Sequence, residues 1–366
     1  MRAALLAKNM FLKKILPYPG VVGLGVGLKQ VAGKDLDLNS VKIYVQTKLP
    51  MSKIDPRYQI PATLGSIPTD IVETGKIFSH GWGSQLSMSA PQSGRVRPVL
   101  GGYSIGSTTI TAGTCGGLVT DSQDNNKVVA ISNNHVFADR NTNAIGIHIV
   151  QPGIYDRGQD PADEVATLKR FVPIDFGFGT GGGGTPTNPT FPTIPPNLTD
   201  TVAISDYIAS VAEYLKSLLQ GGSNQNLSTP DHMNTVDVAV ATPTSQMMFS
   251  RSIAGIGVPG TSIDPSIGMT VVKSGRTTGI TTGKISDTDL TVTIDYGTSP
   301  SGELNATFDD TILISGTGFS AGGDSGSRVM KNSSTHETVG LLFAGGSNST
   351  IICKAKNIES QMGVRF

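Results

Sequence analysis

Three short stretches of this 366-residue chain hold the residue types that acyl transfer needs. Serine is a poor nucleophile at its ordinary pKa, so it requires an adjacent base, a group that orients the base, and donors for the developing oxyanion. Residues 319–327 read FSAGGDSGS, with Ser325 flanked by Gly323 and Gly326. Those glycines permit a tight turn in which the N–H groups of Gly323 and Ser325 converge on one oxygen. Residues 128–136 read VVAISNNHV, which sets His135 directly after an apolar strand. Residues 236–240 read VDVAV, which sets Asp237 inside a run otherwise built for burial. A carboxylate there needs a positive or hydrogen-bonding partner, and an imidazole N–H supplies one. Singly, each stretch has an ordinary explanation: a GDSG turn, a packed or surface histidine, an aspartate in a turn. Together they favour a nucleophile, a base and an orienting acid.

Two other acids compete for the orienting role. Asp175 follows a Val-Pro-Ile run, and Asp231 precedes His232, but neither lies inside an apolar run as Asp237 does. The remaining histidines are His80, His148, His232 and His336. None has metal-ligand spacing with a cysteine or another histidine, so no zinc site is expected. The chemistry requires no metal or organic cofactor.

The elements that must position these residues read as mainly β. Charged residues are 15% and aromatics 6%, while Gly, Ser, Thr, Val and Ile abound, a composition that favours short strands and turns. Strand-like runs recur at 103–111, 117–120, 127–132 and 145–151, and again at 235–242, 269–274, 288–296, 311–315, 327–330, 339–343 and 350–354. Such spacing predicts antiparallel barrels or a sandwich. The pattern breaks at 177–197, a Gly/Pro/Thr connector, and at 200–220, where apolar residues repeat at helical spacing behind Asp200. Ahead of the β region, residues 1–85 read as a small α/β or α+β unit: a helix over 2–15, strands at 40–48 and 69–73, and the Gly-rich run GVVGLGVG. That run lacks the Lys-Ser/Thr of a phosphate loop and reads as a strand packed closely on a neighbour.

Composition also excludes partners. Lys+Arg and Asp+Glu are both 28, so the chain has no net charge with which to track phosphates, and no nucleic-acid partner is expected. No apolar run reaches membrane-span length, and the N-terminus lacks a secretory apolar region. The expectation is a soluble cytoplasmic protein without a membrane partner, with secretion as the alternative. Cys115 and Cys353 are too few for a disulfide framework.

In these stretches the chain resembles the chymotrypsin-like serine peptidases, closest to their bacterial streptogrisin and α-lytic branch. Residues 99–120 (VLGGYSIGSTTITAGTCGGLVT) resemble the first barrel strands, ISNNHVF the histidine segment, 273–285 (KSGRTTGITTGKI) a specific hairpin of that branch, and GGDSGS with 339–346 (VGLLFAGG) the serine loop and the strand along which substrate lies. The His–Asp–Ser order is also that of the chymotrypsin type. The likeness covers about 99–366, apart from roughly 175–225. It implies two antiparallel six-stranded β-barrels, the first over 99–230 with an inserted helix (insertion about 175–225) and the second over 231–366, behind the N-terminal unit and a linker at 86–98.

The resemblance further implies a serine endopeptidase with a protein or peptide substrate. Ser325 would attack the carbonyl, His135 would relay its proton, Asp237 would hold the imidazole, and the N–H groups of Gly323 and Ser325 would form the oxyanion hole. Phe319, Phe343, Ala344 and Gly345 align with substrate-contacting positions, Phe319 at the floor of the primary pocket, where it implies an apolar or shallow site. Phe343 stands where the family has a serine supporting the acid, so Asp237 is expected to lack one donor. Val136 and Val272 replace family cysteines, in keeping with a reducing compartment. Asp324 should pair with a buried terminus or an internal donor, and the sequence does not identify which. Two alternatives remain: an inactive scaffold of the same fold acting through protein–protein contacts, and nucleotide binding through GVVGLGVG. The N-terminal unit stands where the bacterial relatives carry a pro-region, which would make it a folding aid or inhibitor removed by cleavage near Arg95 or Arg97; the preferred expectation is that it is retained, serving assembly (a homo-oligomer) or substrate recruitment.

Overall fold

The computed structural model describes residues 1–31, 34–79, 90–176, 233–299 and 302–366. His80, Trp82, the connector at 177–197, the helical pattern at 200–220, Asp231 and His232 lie outside the described residues.

Helix α1 (Arg2–Ile15) buries Ala4, Ala7, Lys8, Leu12 and Ile15, the three- and four-residue spacing of an amphipathic helix. Lys13 and Lys14 occupy its last turn, where cations suit the carbonyl end. The helix covers strands β1 (Val21–Val31) and β2 (Lys34–Val45), which pair antiparallel, and β3 (Ile67–Glu73) runs parallel to β2. The Gly-rich run is therefore strand, not a nucleotide loop. A side chain at Gly23 would lie 2.6 Å from the Thr291 carbonyl oxygen, and one at Gly25 would lie 1.7 Å from Asp287 Oδ2. Glycine lets β1 press against residues 287–292, where Leu24 pairs with Thr291. This corrects the expectation of a separate N-terminal domain: the first sheet continues into the C-terminal barrel, and the described residues form one compact unit. A short strand, β4 (Phe78–Ser79), follows.

The first barrel contains β5 (Ser104–Ser107), β6 (Gly113–Thr114), β7 (Leu118–Asp121), β8 (Lys127–Ser132), β9 (His148–Val150), β10 (Glu164–Phe171) and β11 (Ala239–Pro243). A one-turn helix, α2 (Asn134–Phe137), follows β8. β6 and β7 act as one bent strand, pairing with β5 at its start and β8 at its end; β8–β11, β11–β10, β10–β9 and β9–β5 complete the circuit. The second barrel closes through β12 (Thr270–Gly275), β13 (Gly279–Ser299), β14 (Gly302–Ser315), β17 (Ser349–Lys354), β16 (Glu337–Gly345) and β15 (Arg328–Lys331), which returns to β12. The mainly β reading with two antiparallel six-stranded barrels thus holds. Helix α3 (Ala355–Met362) ends at Gly363, which has φ 66°.

Three expectations shift. The division at 230/231 falls too early, because β11 pairs within the first barrel. Residues 235–238 are not strand, and 236–238 are buried, so Asp237 sits just ahead of β11 rather than inside it. The apolar pattern does not predict β10, because Lys169 and Arg170 interrupt it; buried Asp121 receives both cations, at 2.7 and 2.6 Å. Between the barrels, Val129, Ile131 and Val240 meet Val292, Phe308 and Phe343 in a shared apolar core.

Candidate active site

His135 and Asp237 meet because the strands that carry them are neighbours. Ser132 of β8 pairs with Ala239 of β11, so the turn after one strand faces the approach to the other. Asn133 reinforces the junction by donating from Nδ2 to the Asp237 carbonyl at 2.7 Å. The result is a 2.6 Å contact between His135 Nδ1 and Asp237 Oδ2, with the His135 N–H directed to Oδ1 at 3.3 Å. Asp237 is fully buried, and His135 Nε2 is buried without a hydrogen-bond partner among the described residues. A carboxylate on Nδ1 fixes the proton there and leaves Nε2 as the acceptor.

Ser325 arrives from the second barrel, on the loop before β15. The first barrel holds that loop: the Thr114 N–H donates to the Ser325 carbonyl at 2.7 Å, and Thr114 Oγ1 donates to the Gly323 carbonyl at 2.8 Å. Gly113 shows how closely the segments approach, since a side chain there would lie 2.6 Å from the Val136 side chain and 3.2 Å from the Ser325 carbonyl. Gly323 and Gly326 take φ of 94° and 95°, the left-handed region that the turn requires. The N–H groups of Gly323 and Ser325 donate to no acceptor among the described residues. The serine hydroxyl is turned toward the Phe343 carbonyl, at 3.2 Å, and makes no hydrogen bond to His135.

The internal partner of Asp324 is Lys273. The two side chains are fully buried, with Nζ 3.3 Å from Oδ2. Burial pushes the Lys273 ammonium down from its ordinary pKa, and the Asp324 charge opposes this. The SGRTTG hairpin completes the clamp: the N–H groups of Thr277 and Thr278 donate to Oδ1 at 2.8 and 3.2 Å, and Thr278 Oγ1 donates to Oδ2 at 2.7 Å. Gly275 is needed for close approach, because a side chain there would lie 2.5 Å from Asp324 Oδ1. Arg276 instead forms an ion pair with Asp156, at 2.6 Å.

The donor expected to be missing at Asp237 is present. Tyr296, on β13, donates its hydroxyl to Asp237 Oδ2 at 2.7 Å and sets its ring edge-on to His135. Burial first, and then the Asp237 charge, hold the phenol pKa well above its ordinary value, so it remains a donor. Sequence reasoning missed this residue; its only signal was a tyrosine in an apolar strand run. Phe343 points inward, its ring 4.7 Å from that of Phe308.

Other sequence expectations fall elsewhere. Phe319 packs into the second-barrel core with Val271, Ile314 and Leu342. Ala344 and Gly345 pair with Ser79 and Phe78. The backbone of Asp175 bonds to Asn234, while half-buried His148 contacts Asp160. Cys115 and Cys353 are free and buried, and burial raises both thiols, Cys115 to about 11. The Cys353 sulfur accepts the Asp237 N–H at 3.3 Å.

No protein-family model and no curated protein matches the chain. Among solved structures, it is similar to a Nocardiopsis protease (14% identity, TM-score 0.38, covering 73% of this chain and 97% of the other). A glutamic acid-specific serine protease gives 17% identity, TM-score 0.41, and coverage of 73% and 99%. A chymotrypsin of Cellulomonas bogoriensis gives 15% identity, TM-score 0.38, and coverage of 73% and 97%.

Proposed function

We propose that the protein is a serine endopeptidase of the chymotrypsin-like type, hydrolysing peptide bonds through an acyl-enzyme. The observation that carries this reading is the buried His135–Asp237 contact of 2.6 Å, which leaves Nε2 unpartnered. In the reaction, Ser325 exchanges its bond to the Phe343 carbonyl for one to Nε2, and its oxygen attacks the substrate carbonyl. His135 takes the hydroxyl proton and returns it to the leaving amine, while Asp237 stabilises the imidazolium. The N–H groups of Gly323 and Ser325 receive the oxyanion. Water then repeats the sequence on the ester.

A fluorophosphonate probe tests the reading. It should add one adduct to the wild type, at Ser325, and none to Ser325→Ala. Absence of labelling under all conditions in folded protein rejects the assignment. The direction of the Ser325 hydroxyl favours one second reading, a scaffold of this fold acting through protein contacts, and the same experiment separates the two.

A further inference from the structure

Strand β16 has two edges, and over Ala344–Gly345 both are taken. On one side Ala344 pairs with Ile351 and Gly345 with Thr350 of β17. On the other, where β15 no longer accompanies the strand beyond Leu341, Ala344 pairs antiparallel with Ser79 and Gly345 with Phe78. An extended peptide adds to a sheet only through an open edge, because main-chain hydrogen bonds supply its register. We infer that Phe78–Ser79 is an intramolecular occupant of the strand edge on which substrate must lie, so that this state of the protein is self-blocked.

The segment leading into β4 is anchored. Ile77 is buried in the core between the barrels, and its carbonyl accepts the Asp295 N–H at 3.0 Å. Lys76 forms an ion pair with Asp295 at 2.6 Å. Asn348 Nδ2 donates to the Glu73 carbonyl at 3.1 Å. The blocking residues pair with Ala344 and Gly345 on one side, and Phe78 also pairs in parallel with Asp295 of β13; Ser79 Oγ is buried with no partner among the described residues. A buried hydroxyl without a hydrogen bond opposes its own burial, which suits an occupant that can be exchanged. Ser79 also lines the same cavity as His135 and Arg140, so the segment reaches the cleft beside the base. Ser325 is fully buried in this state.

The inference rests on the peptidase reading for the role of the 343–345 edge. Its test uses the full chain and two readouts: amide exchange at 343–345, and the rate of fluorophosphonate addition at Ser325. Ser79→Pro removes an N–H and should release the strand, speeding exchange and raising the labelling rate at least tenfold. The double variant Ser79→Cys/Ala344→Cys, oxidised, should lower that rate at least tenfold, with recovery on reduction. Unchanged exchange in Ser79→Pro overturns the inference. So do faster exchange and labelling rates within twofold in every form, while the peptidase reading then stands. Faster exchange with no labelling in any form rejects the peptidase reading and the inference with it. If Ser79→Pro does not fold, oxidised and reduced forms of the cysteine pair decide between these outcomes by the same labelling comparison.

Discussion

The hydroxyl of Tyr296 and the carboxylate of Asp237 meet across the barrel interface at 2.7 Å. A second-barrel side chain thereby supports an acid that belongs to the first barrel. Phe343, where the resemblance implies a supporting serine, contributes only its ring to the shared core and its carbonyl to Ser325. Tyr296 supplies the donor that the resemblance leaves missing.

Tyr296→Phe tests that relationship. A hydrogen bond to a charged group contributes about 1.5–3 kcal/mol, so kcat/KM should fall by roughly one to two orders of magnitude. The pH–rate profile should change as well, because the carboxylate facing His135 loses a donor. Labelling kinetics across pH 5–9 check this; a fall in activity with an unaltered profile would indicate a packing role only.

Lys273→Met leaves Asp324 buried without its cation. Removing one partner of a buried pair costs about 3–5 kcal/mol; the remaining N–H donors from Thr277 and Thr278 favour the lower end. The double variant Lys273→Met/Asp324→Asn should recover part of the loss. Urea unfolding measures both, and the single variant should label slowly, since Asp324 adjoins Ser325.

Gly326→Ala places a side chain 2.1 Å from the Thr114 carbonyl oxygen at a φ of 95°. The serine loop must shift, and displacing a reacting group by about 1 Å costs about 10²-fold in rate. Peptide hydrolysis or fluorophosphonate labelling should fall by that factor while the far-UV CD spectrum is retained.

Asp287 makes stability depend on pH. Burial raises its carboxyl to about 6, against opposition from the Asp289 N–H, Lys8, the Val26 N–H and the Tyr44 hydroxyl. A carboxyl whose pKa is higher folded than unfolded favours the native state while protonated. Its contribution should therefore be complete below about pH 4 and be lost as pH rises through 6, a change on the order of 3 kcal/mol. Asp287→Asn should flatten that part of the urea-midpoint profile.

Local features of the fold are legible along the chain. Apolar alternation marked most strands of both barrels, the glycines of 323–326 marked the turn, and the residue types at 135, 237 and 325 marked the candidate site. These are legible because burial period and backbone freedom are properties of adjacent residues. Which distant groups meet is fixed by long-range packing: Tyr296 with Asp237, Lys273 with Asp324, β1 with β13, and Phe78–Ser79 with Gly345 and Ala344. A hydrophobic pattern says that a polar group will be buried and must find a partner. Which partner it finds depends on the register between strands far apart in the chain, and no local spacing carries that information.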